Sequence, residues 1–313
     1  MSDHVPSFRL RLAERLARVS AGSPVAERAL VALCRRERVR RALRLGAVAI
    51  AYSRIIDHPE IRVAELDGYR LAVNVGEHLG LGPYFFGDTG THWPTPYLIA
   101  PGGTCVDAGA NFGHTTFFAA SRLGPSGRAV AFEPNPACAA LIRRSIQLNR
   151  FEDRVTLDAR ALWHTTGARL PLLLSPLRDN SGISSLLVHT PELEGASTVE
   201  VETVRLDDAA EAMGIRHVDL MKVDVERAEQ HVLRGAERLL AGAAIDHLIV
   251  EMYSDDPSAE HLRGCGYRGY RIIPAGRGLE PAPAPAAERV FGDFLWVSPR
   301  AFEPLRRKLP LPS

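Results

Sequence analysis

The stretch from Val106 to Thr116, Val-Asp-Ala-Gly-Ala-Asn-Phe-Gly-His-Thr-Thr, limits the possible fold more than any other part of the chain. It follows the apolar run Thr104-Cys105-Val106 and leads into Phe117-Phe118-Ala119-Ala120. That pattern is a strand, a tight glycine turn and a helix start. Gly109 and Gly113 can take backbone angles closed to other residues and let a ligand approach the main chain. The free amides of the new helix point at whatever sits there. Downstream, Ala129-Val130-Ala131-Phe132 reads as a buried strand ending in an acid, Glu133, 20 residues past Gly113. In a doubly wound sheet a carboxylate at that spacing meets ribose hydroxyls. A turn whose glycines serve only the turn would not need the acid at this distance.

The pattern is Asp-x-Gly-x-Asn-x-Gly, and the chain holds no Gly-x-x-x-x-Gly-Lys-Ser/Thr phosphate loop. Asp107 opens the turn, and a carboxylate there would repel a pyrophosphate. It suits a cation such as an amino group or a sulfonium. S-adenosylmethionine (SAM) carries both and has no phosphate. A nicotinamide oxidoreductase is the competing reading, and Asp107 argues against it.

Four segments extend the pattern: Val106 to Gly113, Ala131-Phe-Glu-Pro-Asn-Pro136, Asp179-Asn-Ser-Gly182, and Leu220-Met-Lys-Val-Asp-Val-Glu226 with Ala228-Glu229. Together, and in this order, they resemble the FkbM family of SAM-dependent methyltransferases over about residues 70 to 255. The resemblance implies an α/β fold: a doubly wound, mostly parallel seven-stranded sheet of the class I methyltransferase type. An N-terminal helical extension and a β-hairpin would precede it. It also implies methyl transfer to a hydroxyl of a small molecule, such as a sugar, a glycolipid or a polyketide-like product of secondary metabolism. Carboxyl or nitrogen methylation and a non-catalytic SAM-binding scaffold are the alternatives. Two positions depart from the family pattern: Arg227 stands where glycine is usual, and His114 where an aromatic is frequent.

Ligands of such sheets bind at the carboxyl ends of the strands. The expected cofactor residues are Asp107, Gly109, Asn111, Gly113, Thr115, Glu133, Pro134, Asn135 and Asp224. The family resemblance adds Ala161, by its backbone at the adenine edge, and Asn180 and Ser181. Glu133 is assigned to the ribose and Asp107 to the methionine end. An alcohol acceptor must lose a proton, which calls for a base or a metal; Asp224, Glu226 and His114 are the catalytic candidates. His231, on the following helix, is a weaker one. Strand alternation puts Lys222, Asp224 and Glu226 on one side, so Lys222 can pair with an acid and fix it. The expected reaction needs no metal. The alternative is one Mg²⁺ or Ca²⁺ on Asp224 and Glu251, because hard cations take oxygen ligands.

A chain of 313 residues with 46% hydrophobic content can bury a full α/β core. The formal net charge of +1 gives no global pull toward nucleic acid or membrane. No Asp/Asn-Pro-Pro-Tyr/Phe/Trp motif for flipped bases is present, so the expected partner is a small-molecule acceptor and not nucleic acid. Cys34, Cys105, Cys138 and Cys265 form no Cys-x-x-Cys pair; they read as reduced residues without zinc or disulfides. The arginine-rich opening lacks an apolar signal core, and Leu45 to Tyr52 is too short to span a bilayer. The expected location is the cytoplasm.

Residues 1–60 read as the helical extension, with helices over 8–19 and 25 to about 50. Residues 61–300 read as the SAM-binding domain, with an irregular insertion over 170–198, and 301–313 as a frayed tail. Arg35, Arg36, Arg38, Arg40, Arg41 and Arg44 cluster on the second helix. They form either a solvated face or a contact to an anionic group. Such an extension either covers the cofactor or makes a homodimer through these helices, and the sequence does not choose between the two. Asp67-Gly68 between two alternating runs signals a hairpin. The aromatic segment Gly80 to Thr95 either lines an acceptor pocket or packs the hairpin. In the core, Val155 to Leu162 reads as the third strand and Val199 to Val204 as an edge strand. Pro274 to Ala287 reads as an extended loop without a strand.

Overall fold

The computed structural model describes residues 8–39, 46–56, 60–87, 93–175, 184, 186, 197–273, 278–282 and 289–312. Its contacts divide into two compact units, one with the described residues up to 87 and one with those from 93 on.

The first unit holds helices α1 (Phe8–Ala21), α2 (Pro24–Cys34) and α3 (Gly46–Ile55), and the hairpin β1 (Ile61–Glu65) and β2 (Arg70–Asn74). Ser23 caps α2 by accepting from Ala26 N, and Pro24 supplies a first-turn residue with no amide to satisfy. The single helix expected over 25 to about 50 is interrupted: α2 ends at Cys34, and residues 40–45, with Arg40, Arg41 and Arg44, lie outside the described residues. The hairpin forms as Asp67-Gly68 requires, with Gly68 at φ 87°. From the aromatic segment, Tyr84 and Phe85 are buried, and Phe85 meets Tyr52 of α3 edge-on at 5.2 Å. These rings therefore pack the unit. His92 lies outside the described residues. The Glu27 carboxylate, buried on α2, accepts from Arg62 Nε at 2.8 Å and from the Tyr84 hydroxyl at 2.5 Å. That join ties helix, hairpin and aromatic segment together.

The second unit is the α/β core. Its strands are β3 (Thr104–Ala108), β4 (Arg128–Phe132), β5 (Val155–Asp158), β9 (Val218–Val223), β10 (Ile245–Tyr253), β11 (Arg268–Ile273), β12 (Gly278–Pro281) and β13 (Phe291–Val297). They form one sheet in the order β12-β11-β13-β10-β9-β3-β4-β5. The run β5-β4-β3-β9-β10 is parallel, and β13 pairs antiparallel with both β10 and β11, as expected. The sheet has eight strands where seven were expected. The extra one, β12, lies in the segment read as a strandless loop. Pro281 is tolerated there because β12 is an edge strand, and a missing amide on the outer side breaks no ladder.

Helices α4 (His114–Leu123), α5 (Pro136–Asn149), α6 (Leu206–Ala212), α7 (Glu229–Gly235), α8 (Glu237–Ala241) and α9 (Pro257–Gly264) accompany the sheet. Val106, Ala108, Val130, Phe132, Met221, Val223, Leu248 and Val250 share one core with apolar residues of α6, α7, α8 and α9. Strand alternation sends Asp107 and Lys222 to the other face.

A second, three-stranded sheet contains β6 (Ala161–Leu162), β8 (Ser197–Val204) and β7 (Arg169–Leu174), in that order. This corrects three expectations. The third core strand stops at Asp158, where Arg160 turns back and pairs with its carboxylate. β8 is a central strand, not an edge. The insertion opens with the regular strand β7, stabilised by antiparallel pairing with β8. The tail is not frayed throughout: α10 (Phe302–Arg306) buries Leu305, and Leu309 is buried beyond it.

Gly235 ends α7 against the second sheet. A Cβ there would lie 2.1 Å from the Trp163 carbonyl oxygen. Alanine normally favours a helix over glycine, but here the clash decides. Gly235→Ala is expected to destabilise the protein by about 1–3 kcal/mol, read as a lower denaturant midpoint at unchanged slope.

Candidate functional site

The site grows from the turn after β3. Gly109 has φ 77°, and a Cβ on it would lie 1.8 Å from the Asp224 carbonyl oxygen, so only glycine fits. Gly109 N and Ala110 N both donate to the Phe132 carbonyl, and Asp224 N donates to that of Ala108. The carboxyl ends of β3, β4 and β9 are thereby locked together. Asn111 is left-handed at φ 52°, a conformation asparagine tolerates better than most residues. Gly113, at φ 89°, starts α4, and a Cβ there would press on the Phe117 ring at 2.9 Å.

Glu133 is buried at the end of β4. Its Oε2 accepts from Asn111 N at 2.6 Å and its Oε1 from Asn135 N at 2.8 Å. Burial pushes its pKa up to about 7, against the opposing pull of these two amides. Each oxygen keeps further acceptor capacity, since a carboxylate offers about four lone-pair sites. Asn135 also caps α5 by accepting from Ala137 N, with the half-buried Pro134 between the two anchors.

Asp107 is buried on the α4 face of β3. Its Oδ2 accepts from the Thr116 hydroxyl at 2.6 Å. Its Oδ1 is buried with no hydrogen-bond partner. Burial raises its pKa, opposed by the Lys222 ammonium and the Thr116 bond. Thr115, one residue earlier, is half-buried in the first turn of α4, and His114 stacks on Phe112 at 5.9 Å.

Strand register explains the rest. Asp107 pairs with Lys222, Lys222 with Ile249, and Glu251, two residues on, with Asp293. All face the same side. Lys222 Nζ lies 2.5 Å from Asp224 Oδ2, so the expected ion pair forms. Burial alone would lower this ammonium's pKa, but Asp224 and Asp107 outweigh it and hold it above its usual range. Asp224, Glu226 and Glu251 each bring a carboxylate oxygen within 4.8 Å of the others. Burial, then the charge of Asp224, raises Glu226 to about 7 and raises Glu251 as well. Asp293 is raised by burial too.

The loop carrying Glu226 is strained. Glu226 and Arg227 sit at φ 52° and 75°, in the left-handed region. Glycine would adopt this conformation at no steric cost. Here Glu229 holds the loop: its buried carboxylate accepts from Arg227 N at 3.1 Å and Val225 N at 3.4 Å.

Of the expected residues, the structure brings Asp107, Gly109, Asn111, Gly113, Glu133, Pro134 and Asn135 into one turn network. It joins Asp224 and Glu226 with Glu251 in the carboxylate cluster. Ala161 pairs with Thr203 in the three-stranded sheet and packs against Leu172 and Val201. Asn180 and Ser181, with Gly182, lie outside the described residues. His231 stacks flat on Trp163 at 4.0 Å and meets His164, Nδ1 to Nδ1, at 2.9 Å. The sequence reading missed Thr116 and Asp293. An acid inside the otherwise apolar run Phe291-Gly-Asp-Phe-Leu-Trp was a visible signal for Asp293.

A family model, the methyltransferase FkbM domain, matches residues 107–272, more than half of the chain. The 31-O-demethyl-FK506 methyltransferase FkbM of Streptomyces tacrolimicus is 31% identical over 163 residues, covering 44% of this chain and 61% of that protein. Methyltransferase sdnD of Sordaria araneosa is 32% identical over 156 residues, covering 42% and 60%. The chain thus spans about three fifths of the length of these relatives. Among solved structures, a methyltransferase FkbM from Methylobacillus flagellatus KT matches with a TM-score of 0.42 at 16% identity, covering 66% of this chain and 46% of that one.

Glu229 gives a pH test. Burial raises its pKa from the usual 4.5 to about 7. The folded state then binds more protons than the unfolded state between these values, so this group's contribution to stability falls as pH rises through the window. Glu229→Gln keeps an acceptor oxygen and removes the titration. Its stability is expected to fall less than the parent's between pH 4.5 and 7, by up to about 3 kcal/mol, in denaturant melts across pH.

Proposed function

The chain belongs to the FkbM methyltransferase domain family, and on that premise we propose that it moves a methyl group from SAM to a hydroxyl of a small organic acceptor. The observation that carries this reading is the pairing of Glu133 with Asp107 around one glycine turn. Glu133 is fixed by two backbone amides and keeps acceptor capacity for a ribose diol. Asp107 offers a buried oxygen that no protein group satisfies, as the amino end of a cationic ligand requires. Gly109 and Gly113 remove side chains where the ligand meets the main chain, and the first turn of α4 presents its amides there. Pro134, Asn135, Thr115 and the backbone at Ala161 complete the proposed cofactor shell, with Asn180 and Ser181 by family resemblance.

SAM supplies an electrophilic methyl on a sulfonium, and the protein's task is to align an acceptor with it and accept a proton. Positioning provides much of the rate. The cluster at β9 and β10 provides the proton acceptor. Asp224 is committed to Lys222, so it orients and sets the local charge. Glu226, with its pKa raised to about 7, is matched to taking a proton near neutral pH. His114 is the alternative base, from the start of α4. Asp224, Glu226 and Glu251 also favour a second reading, in which they hold one hard divalent cation that lowers the acceptor's pKa. The polyketide- or sugar-type acceptor and the small-molecule partner belong to this proposal. No helix among the described residues is long and apolar enough to cross a membrane.

Asp107→Ala and Glu133→Ala are each expected to weaken SAM binding about tenfold or more in calorimetric titration, by removing an ionised or hydrogen-bonding partner. Unchanged affinity in both variants would overturn the site. Asp224→Asn is expected to lower methyl transfer about 100-fold or more while SAM still binds. A scaffold would be indifferent to that change. Turnover lost in EDTA and restored by Mg²⁺ would favour the cation reading.

A further inference from the structure

The helices of the first unit carry an outward face that the proposed reaction does not use. Val25 is 69% exposed, Val19 63% and Leu16 43%. Leu33 on α2 and Ile50 on α3 are exposed as well. Five of the eight large apolar side chains that are exposed among the described residues thus lie on these three helices. On α1 the buried residues are Ala13, Ala17 and Ser20, so the opposite arc carries Arg15, Arg18 and Val19, with Leu16 at its edge. On α2, Glu27, Leu30 and Cys34 point inward, and Val25, Arg28, Leu33 and the adjoining Arg36 point out. On α3, Ile50 is followed by exposed Arg54 one turn on.

The charge on this face is mainly positive. Across described residues 13–39 and 46–56 every exposed charged side chain is an arginine except Glu37. Glu14 is half-buried, and Glu27 is buried and held by Arg62 and Tyr84. Arg15, Arg18 and Arg28 therefore stand beside bare valine and leucine with no fully exposed acid on α1 or α2. Burying Val and Leu calls for an apolar medium, and the arginines call for anions at its edge.

We propose that this helical face docks on an anionic lipid surface, with Leu16, Val19 and Val25 entering the headgroup boundary and the arginines meeting lipid phosphates. Long arginine stems suit that geometry, since they bury methylenes while the guanidinium stays at the polar edge. A second copy of the chain fits less well. A two-fold contact uses the same patch on both partners and would set arginine against arginine. A nucleic acid would answer the arginines but leave the valines bare.

The test is sedimentation of the full chain with vesicles of phosphatidylcholine alone and of phosphatidylcholine with phosphatidylglycerol. The expected result is about tenfold or more greater partition onto the anionic vesicles, falling steeply with added salt. Arg15→Gln/Arg18→Gln/Arg28→Gln is expected to abolish the preference, and Val19→Ser/Val25→Ser to reduce partition about tenfold. SAM binding, measured on each variant as a check of folding, should not change. Equal partition onto both vesicle types, or none, overturns the proposal. So does loss of partition in the arginine variant with none in the valine variant, which would mean a general attraction between charges. A dimer in sedimentation equilibrium that Val19→Ser/Val25→Ser disrupts would assign the face to a second copy. Equally tight binding of a single-stranded oligonucleotide would assign it to nucleic acid.

Discussion

The approach of Gly109 to the Asp224 carbonyl is the constraint on which the core depends. It occurs where three parallel strands end, and the hydrogen bonds around it reach all three. Any side chain at position 109 would push β3 and β9 apart. With them would go the alignment of Asp107 opposite Lys222, and of Lys222 beside Asp224. The glycine is thus needed for packing between strands as much as for the proposed ligand access. Both needs select the same residue.

From that fixed point the site divides by chemistry. On the β3–β4 side, acids are held by neutral donors: Asp107 by a hydroxyl, Glu133 by two amides. On the β9–β10 side, several carboxylates share one lysine. Burial and mutual repulsion raise the acids there, whereas Lys222 keeps Asp224 engaged. In the function proposed above, one half grips a polar, cationic cofactor. The other can take up a proton or a cation. The two halves sit on one side of one sheet because alternation along each strand and register between strands leave no other arrangement.

Much of this was legible in the chain. The strand–turn–helix at Val106 to Thr116, the acid at Glu133, the hairpin at Asp67-Gly68 and the antiparallel final strands all follow from local rules. The misreadings share a cause. β12 was dismissed because Pro, Ala and Gly disfavour strands, yet an edge position accepts them. β8 looked like an edge strand because it alternates, but its neighbours β6 and β7 come from segments whose pairing has no local signature. Asp293 was overlooked because it is brought to Glu251 only by strand register.

The sequence by itself determined the fold class, the glycine turn and the acids that surround it, because glycine conformation, strand alternation and acid spacing are local and readable. The tertiary structure alone decided which of two adjacent threonines holds Asp107. It also decided that Glu229 supports the left-handed turn at Glu226 and Arg227, and that three carboxylates, two from the loop after β9 and one from β10, converge. Those outcomes depend on distances between segments far apart in the chain. Only packing sets such distances.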